Sequence, residues 1–150
     1  MSQPWTTLFM LNRQILLERN LADVTQSQAD QPPSAGVNSI TWILRHILHY
    51  RRELLGDVLK SAYRSTAPEP TTLAQFEEAM EETQAALHEA FESADWSAPR
   101  FHPAFQASVP LSLIVGTLFM HEAYHLGQLG TTRKLLGLPG AIQPPPAVKA

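Results

Sequence analysis

The chain has 150 residues, 44% hydrophobic and 17% charged, with a formal net charge of −3 and no cysteine. That fits one globular domain with a real core, argues against nucleic-acid partners, which need a basic face, and removes disulfides, thiolate metal sites and a cysteine nucleophile together. No apolar run approaches the roughly 20 residues that span a bilayer and no basic leader region heads the chain, so a cytoplasmic protein without a membrane partner is expected.

Twelve prolines leave four proline-free windows, 5–31, 34–67, 71–98 and 111–138. Proline breaks helix interiors but is tolerated in the first turn, so the windows predict four helices. The first carries Trp5, Leu8, Phe9, Leu11, Ile15 and Leu16 behind Pro4, and predicts a helix over 5–23 followed by a polar loop over 25–36. In the second, Asn38 or Ser39 is the candidate N-cap. Ile40, Ile43, Ile47, Leu54 and Val58 recur at helical spacing over 38–62, and Gly56 is read as a mark of close packing. In the third, Thr72 and Gln75 match a capping box. There Leu73, Phe76, Met80, Leu87 and Phe91 form the apolar stripe, and Glu77, Glu78, Glu81, Glu82, Glu89 and Glu92 a solvated face. Residues 94–109 form the longest connection, with Trp96, Phe101 and Phe105 expected to pack as a loop over the core.

The fourth helix is expected from Pro110, with Ser108 as candidate cap, through Leu136 to a stop at Gly137 and Pro139. Arg133 and Lys134 are placed there to favour the helix dipole. The sum is an all-α four-helix bundle over 1–138, with a longer connection between helices 3 and 4 and a proline-rich tail over 139–150.

Six histidines are candidate functional groups. His121 and His125 are four residues apart, so both imidazoles share a helix face and can reach one ion. They also share the sector of Ile114, Leu118, Leu129 and Leu136. Metal ligands and hydrogen-bonded core histidines both fit that spacing. On the second helix His46 flanks the inward sector, together with Trp42, Tyr50, Glu53 and Asp57, while His49 points outward. That polar strip lines a pocket or is an ordinary amphipathic border. His88 lies on the acidic face, and His102 lies in the long connection.

His121–His125 also reads H-E-x-x-H, the zinc-peptidase pattern with Glu122 as general base. The third ligand of such enzymes lies downstream, and residues 126–150 contain no His, Asp or Glu. Glu122 and His125 match half of a di-iron helix motif, but no second copy exists.

The segment Ser39 to His46, S-I-x-W-I-L-x-H, resembles the DinB/YfiT-like proteins. So does H-x-x-x-H-x-G-Q-L from His121 to Leu129, followed by Arg133, Leu135, Leu136 and Gly137. The resemblance covers nearly the whole chain. It implies a four-helix bundle in which His46, His121 and His125 hold a divalent ion (Zn, Ni, Mn or Fe) with open positions. It further implies transferase or isomerase chemistry with a low-molecular-weight thiol, and the expectation taken from it is a transferase or hydrolase acting on a small-molecule substrate, with the ion activating water or the thiol. A homodimer is a further implication, which Gly116, Gly127 and Gly130 could permit; packing within the monomer is their other reading. Glu122 and Gln128 are candidate catalytic or supporting groups, and Trp42 and Tyr50 candidate pocket lining. The alternative is a non-catalytic metal-binding or structural module, stress-related in role. Under the enzyme reading the connection over 99–110 is a candidate lid.

Overall fold

The computed structural model describes residues 4–65 and 67–142, and these are mostly helical. Pro4 opens the first helix, where its missing N–H leaves nothing unpaired. α1 (Pro4–Leu11) runs without a break into a π-helical stretch, Asn12–Leu17, and closes with α2 (Glu18–Leu21). The polar connection that follows is not all loop. Thr25 and Gln28 form a capping box that starts a short helix, α3 (Gln26–Asp30).

Ser39, not Asn38, caps α4 (Ile40–Glu53), its hydroxyl accepting from the Trp42 N–H at 3.2 Å. α4 continues into a second π-helical stretch, Leu54–Val58, and ends short of the expected residue 62. Gly56 lies in that stretch with nothing within 4 Å of where a Cβ would stand, so it does not mark close packing. Thr72 and Gln75 form the predicted capping box at the start of α5 (Leu73–Ser93).

The connection after α5 holds the only strands among the described residues. β1 (Arg100–His102) pairs antiparallel with β2 (Ala107–Val109), with Phe101 opposite Ser108. Ser108 is therefore a strand residue, and Pro110 stands at the N-cap of α6 (Leu111–Leu135). Trp96, Phe105 and Val109 pack against Phe9, Leu87, Phe91 and Leu111 as expected of a connection over the core, but Phe101 is 67% exposed. Leu111 precedes His121 by ten residues of α6, roughly 15 Å at 1.5 Å per residue. The hairpin thus covers the far end of the core and is no lid over the histidines.

α6 ends in a Schellman motif. Gly137 takes φ 85° and donates to Lys134 O at 3.0 Å, while Leu138 donates to Arg133 O at 3.2 Å. Arg133 and Lys134 lie in the last turn of α6, as expected of cations at a helix C-terminus, but Arg133 has a further role. It is buried, and its guanidinium donates to the carbonyls of Asn20, Ala22 and Pro139, tying the end of α2 to the end of α6. Of the three α6 glycines, two serve packing within the chain. A Cβ on Gly116 would meet Trp5 at 3.1 Å, and one on Gly130 would meet Asn20 at 3.2 Å; at Gly127 the space is open.

α4 packs against both α5 and α6, α6 packs against the first helix, and α1 reaches α5. The core falls into two apolar clusters. One holds Leu17, Ile43, Ile47, Leu48, Phe76, Met80, Leu126 and Leu129. The other holds Phe9, Leu54, Leu55, Leu87, Phe91, Ile114, Val115 and Leu118. Between them each long helical segment contributes one buried polar residue at the same level: Asn12, Arg51, Thr83 and Glu122. No helix among the described residues is long and apolar enough to cross a membrane. Most of the tail expected over 139–150 lies outside the described residues.

Candidate metal centre

Helical spacing on α6 stacks His121 above His125, and the α4–α6 contact brings His46 to the same point. The three histidines form a group whose ligand-capable nitrogens lie within 4.8 Å of one another. His121 Nε2 stands 3.2 Å from His46 Nε2 and 3.1 Å from His125 Nε2. The spacing argument for His121 and His125 and the phase argument for His46 therefore converge on one place. His49 is exposed and outside the group, as its phase predicted; His88 is exposed too. His102 stays in the hairpin, its Nδ1 accepting from the Ala104 N–H at 3.3 Å.

Gln128 Oε1 lies 2.8 Å from His125 Nδ1, and Gln128 Nε2 donates to the Tyr124 hydroxyl at 3.1 Å. The amide oxygen can only accept, so His125 carries its proton on Nδ1 and presents a lone pair at Nε2. A proton on His121 Nε2 could satisfy His125 or His46 but not both. One cation held among the three rings would take a lone pair from each. With metal–nitrogen bonds of about 2.0–2.1 Å, the 3.2 and 3.1 Å separations from His121 are short enough for each of those pairs to share one ion. Three imidazole ligands would leave coordination positions free.

The surroundings favour neutral imidazoles. Burial lowers the pKa of His46, with smaller contributions from the charges of His125 and His49. Burial likewise lowers that of His121, aided by His125 and His46 and opposed by Glu122. Metal ligation needs the neutral ring. Aromatic rings enclose the group. Trp42 stacks on His46 at 4.8 Å, Tyr50 meets His46 and His121 edge-on at 4.9 and 4.3 Å, and Tyr124 meets His125 at 5.1 Å. Trp42 is 41% exposed, so it forms a rim more than core filler.

Gln128 accepts from His125 rather than donating into the site. Glu122 turns the other way: its oxygens take the Arg51 guanidinium at 2.7 and 2.9 Å and Asn12 Nδ2 at 3.3 Å. It pairs with another helix and is not free to act as a base. A groove of about 610 Å³ is not centred on the histidines. It lies behind His125, between α6 and the segment before α4, and reaches Tyr124 and Gln128. Periodicity and spacing did not point to Asn12, Arg51 or Thr83. Arg51 nevertheless carried a signal, because a charged residue with Ile47, Leu48, Leu54 and Leu55 three and four positions away cannot face water.

Fold and site together give a helical protein with a three-histidine group that could hold a metal ion. A family model described as the DinB superfamily matches residues 8–129, and the chain belongs to that superfamily. No curated protein matches it.

Proposed function

We propose that the chain folds as a four-helix bundle whose His46, His121 and His125 hold one divalent metal ion, and that it is a metal-dependent transferase or hydrolase of a small substrate. The observation that carries this reading is the convergence of three Nε2 atoms with one ring fixed by Gln128. A metal there would supply a Lewis acid that lowers the pKa of a water or thiol. The chain lacks cysteine, so a thiol would be a small-molecule cofactor. Histidine ligands do not choose among Zn²⁺, Ni²⁺, Mn²⁺ and Fe²⁺. Trp42 and Tyr50 would line the substrate side, and Gln128 would hold His125 in its ligating tautomer.

Metal analysis of the purified protein tests the first part. The expected result is close to one divalent ion per chain, lost in His121→Ala. Folded protein that takes up none of these ions on titration refutes it. Turnover with small thiols and an electrophile, or of hydrolysable esters, tests the second part; activity that survives metal removal refutes it. The second reading is a non-catalytic metal-binding module. The pairing of Glu122 with Arg51 favours it, because the one carboxylate adjoining the ligands in sequence on α6 is already engaged. A homodimer is part of the proposal as well: Leu113, Met120, Tyr124 and Leu135 are exposed along α6, and light scattering would read the mass of a pair.

A further inference from the structure

Two pairs of residues cross the α4–α6 contact side by side. His46 meets His121, and five residues further along α4 Arg51 meets Glu122, the next residue after His121. We infer that Arg51 and Glu122, with Asn12 and Thr83, are positioning residues that hold the metal ligands of the two helices in register. The inference rests on the metal reading of the triad.

The four residues form one buried layer that touches every long helical segment. Arg51 Nε and Nη2 take the two oxygens of Glu122, and Nη1 reaches Met80 O at 3.2 Å and Thr83 Oγ1 at 3.5 Å on α5. Asn12, on the first helix, donates to Glu122 at 3.3 Å, and the Arg51 guanidinium lies 5.8 Å from the centre of the Phe9 ring. The side chains of Arg51 and Glu122 are 2% and 5% exposed. A void of about 10 Å³ between this layer and His121 is at the lower limit for holding even one water.

Stability does not explain the layer. Replacing a buried ion pair with apolar side chains of similar volume is commonly neutral or stabilising, because desolvation offsets the attraction. Direction does explain it. The leucines and isoleucines on either side bury area without fixing an angle, since apolar contact is non-directional. A fork-to-fork pair has one geometry. Sliding α6 by a single residue moves it about 1.5 Å and turns it about 100°, whereas ligand positions must hold to within about 0.2 Å. Glu122 adjoins His121, so fixing the carboxylate fixes where that imidazole leaves the helix.

The test separates register from stability. Arg51→Met combined with Glu122→Leu replaces the pair with apolar groups, and Arg51→Lys is the milder variant that keeps charge but loses the fork. Zinc affinity is read by chelator competition, coordination by the spectrum with Co²⁺, and folding by circular dichroism and Tm. The double variant is expected to keep a near-normal Tm while zinc affinity falls at least about 10-fold and the Co²⁺ bands shift; Arg51→Lys falls in the same direction. A double variant with normal Tm and normal zinc affinity overturns the inference. If the wild type takes up no zinc, the metal reading has failed on its own. The positioning claim is then read in the metal-free protein, from nuclear Overhauser cross-peaks between the rings of His46 and His121. Disappearance of these cross-peaks in the variants supports it, and cross-peaks of unchanged intensity refute it.

Discussion

Gln128 makes one of the contacts most open to measurement around the triad. Its Oε1 accepts from His125 Nδ1 at 2.8 Å and its Nε2 donates to the Tyr124 hydroxyl at 3.1 Å, so the amide is held at both ends. Replacing it with leucine removes the acceptor and frees the His125 ring to carry its proton on Nε2, the atom that faces the ion. A neutral hydrogen bond contributes about 0.5–1.5 kcal/mol, which corresponds to roughly 2- to 12-fold in affinity. Outer partners of ligating histidines typically cost about 10- to 100-fold when removed. The expected effect of Gln128→Leu is therefore about a 10-fold loss of zinc affinity with little change in Tm. Gln128→Glu should act in the opposite sense, because a carboxylate accepts a stronger, charge-assisted bond from Nδ1 and raises the basicity of Nε2. Tyr124→Phe loses only the anchor and should fall between wild type and Gln128→Leu. Competition with a zinc chelator at pH 7.5, with Tm measured on the same metal-free samples, gives all three values. Equal affinity for Gln128→Leu and wild type would falsify the orienting role.

Three further outcomes are expected. His121→Ala and His125→Ala should each abolish metal uptake while His49→Ala leaves it unchanged; loss of the ion in His49→Ala would mean that a different histidine set binds it. The metal-free protein should lose stability in acid through His46 and His121. Their folded pKa values are lowered, mainly by burial, so above about pH 6.5 both states are neutral there and these rings add no pH dependence. As pH falls below that value the unfolded chain binds protons first and stability declines. Urea midpoints between pH 8 and 5 should fall less steeply in His46→Ala than in wild type, and an equal slope would contradict this. Arg133→Met strips the donors from the carbonyls of Asn20, Ala22 and Pro139. It should cost about 2–4 kcal/mol, lowering Tm by roughly 5–15 °C; a change no larger than that of Lys134→Met would show that the tie between α2 and α6 is not needed.

The sequence by itself determined what depends on neighbours along the chain. Proline spacing marked the helical windows, Thr72 and Gln75 marked the start of α5, and Gly137 marked the end of α6, because caps and stops are hydrogen bonds within a few residues. The same box at Thr25 and Gln28 carried the same signal for α3. The pairing of His121 with His125 and the outward face of His49 followed from the helical period alone. Tertiary structure decided what depends on how one helix meets another. It alone joined Arg51 to Glu122, sent Arg133 back to the first helix, folded the last connection into a hairpin away from the histidines, and brought three histidine nitrogens within 4.8 Å of one another. Periodicity reports the direction a side chain takes from its own axis; the partner it finds depends on the register between axes, and many distant residues set that register together.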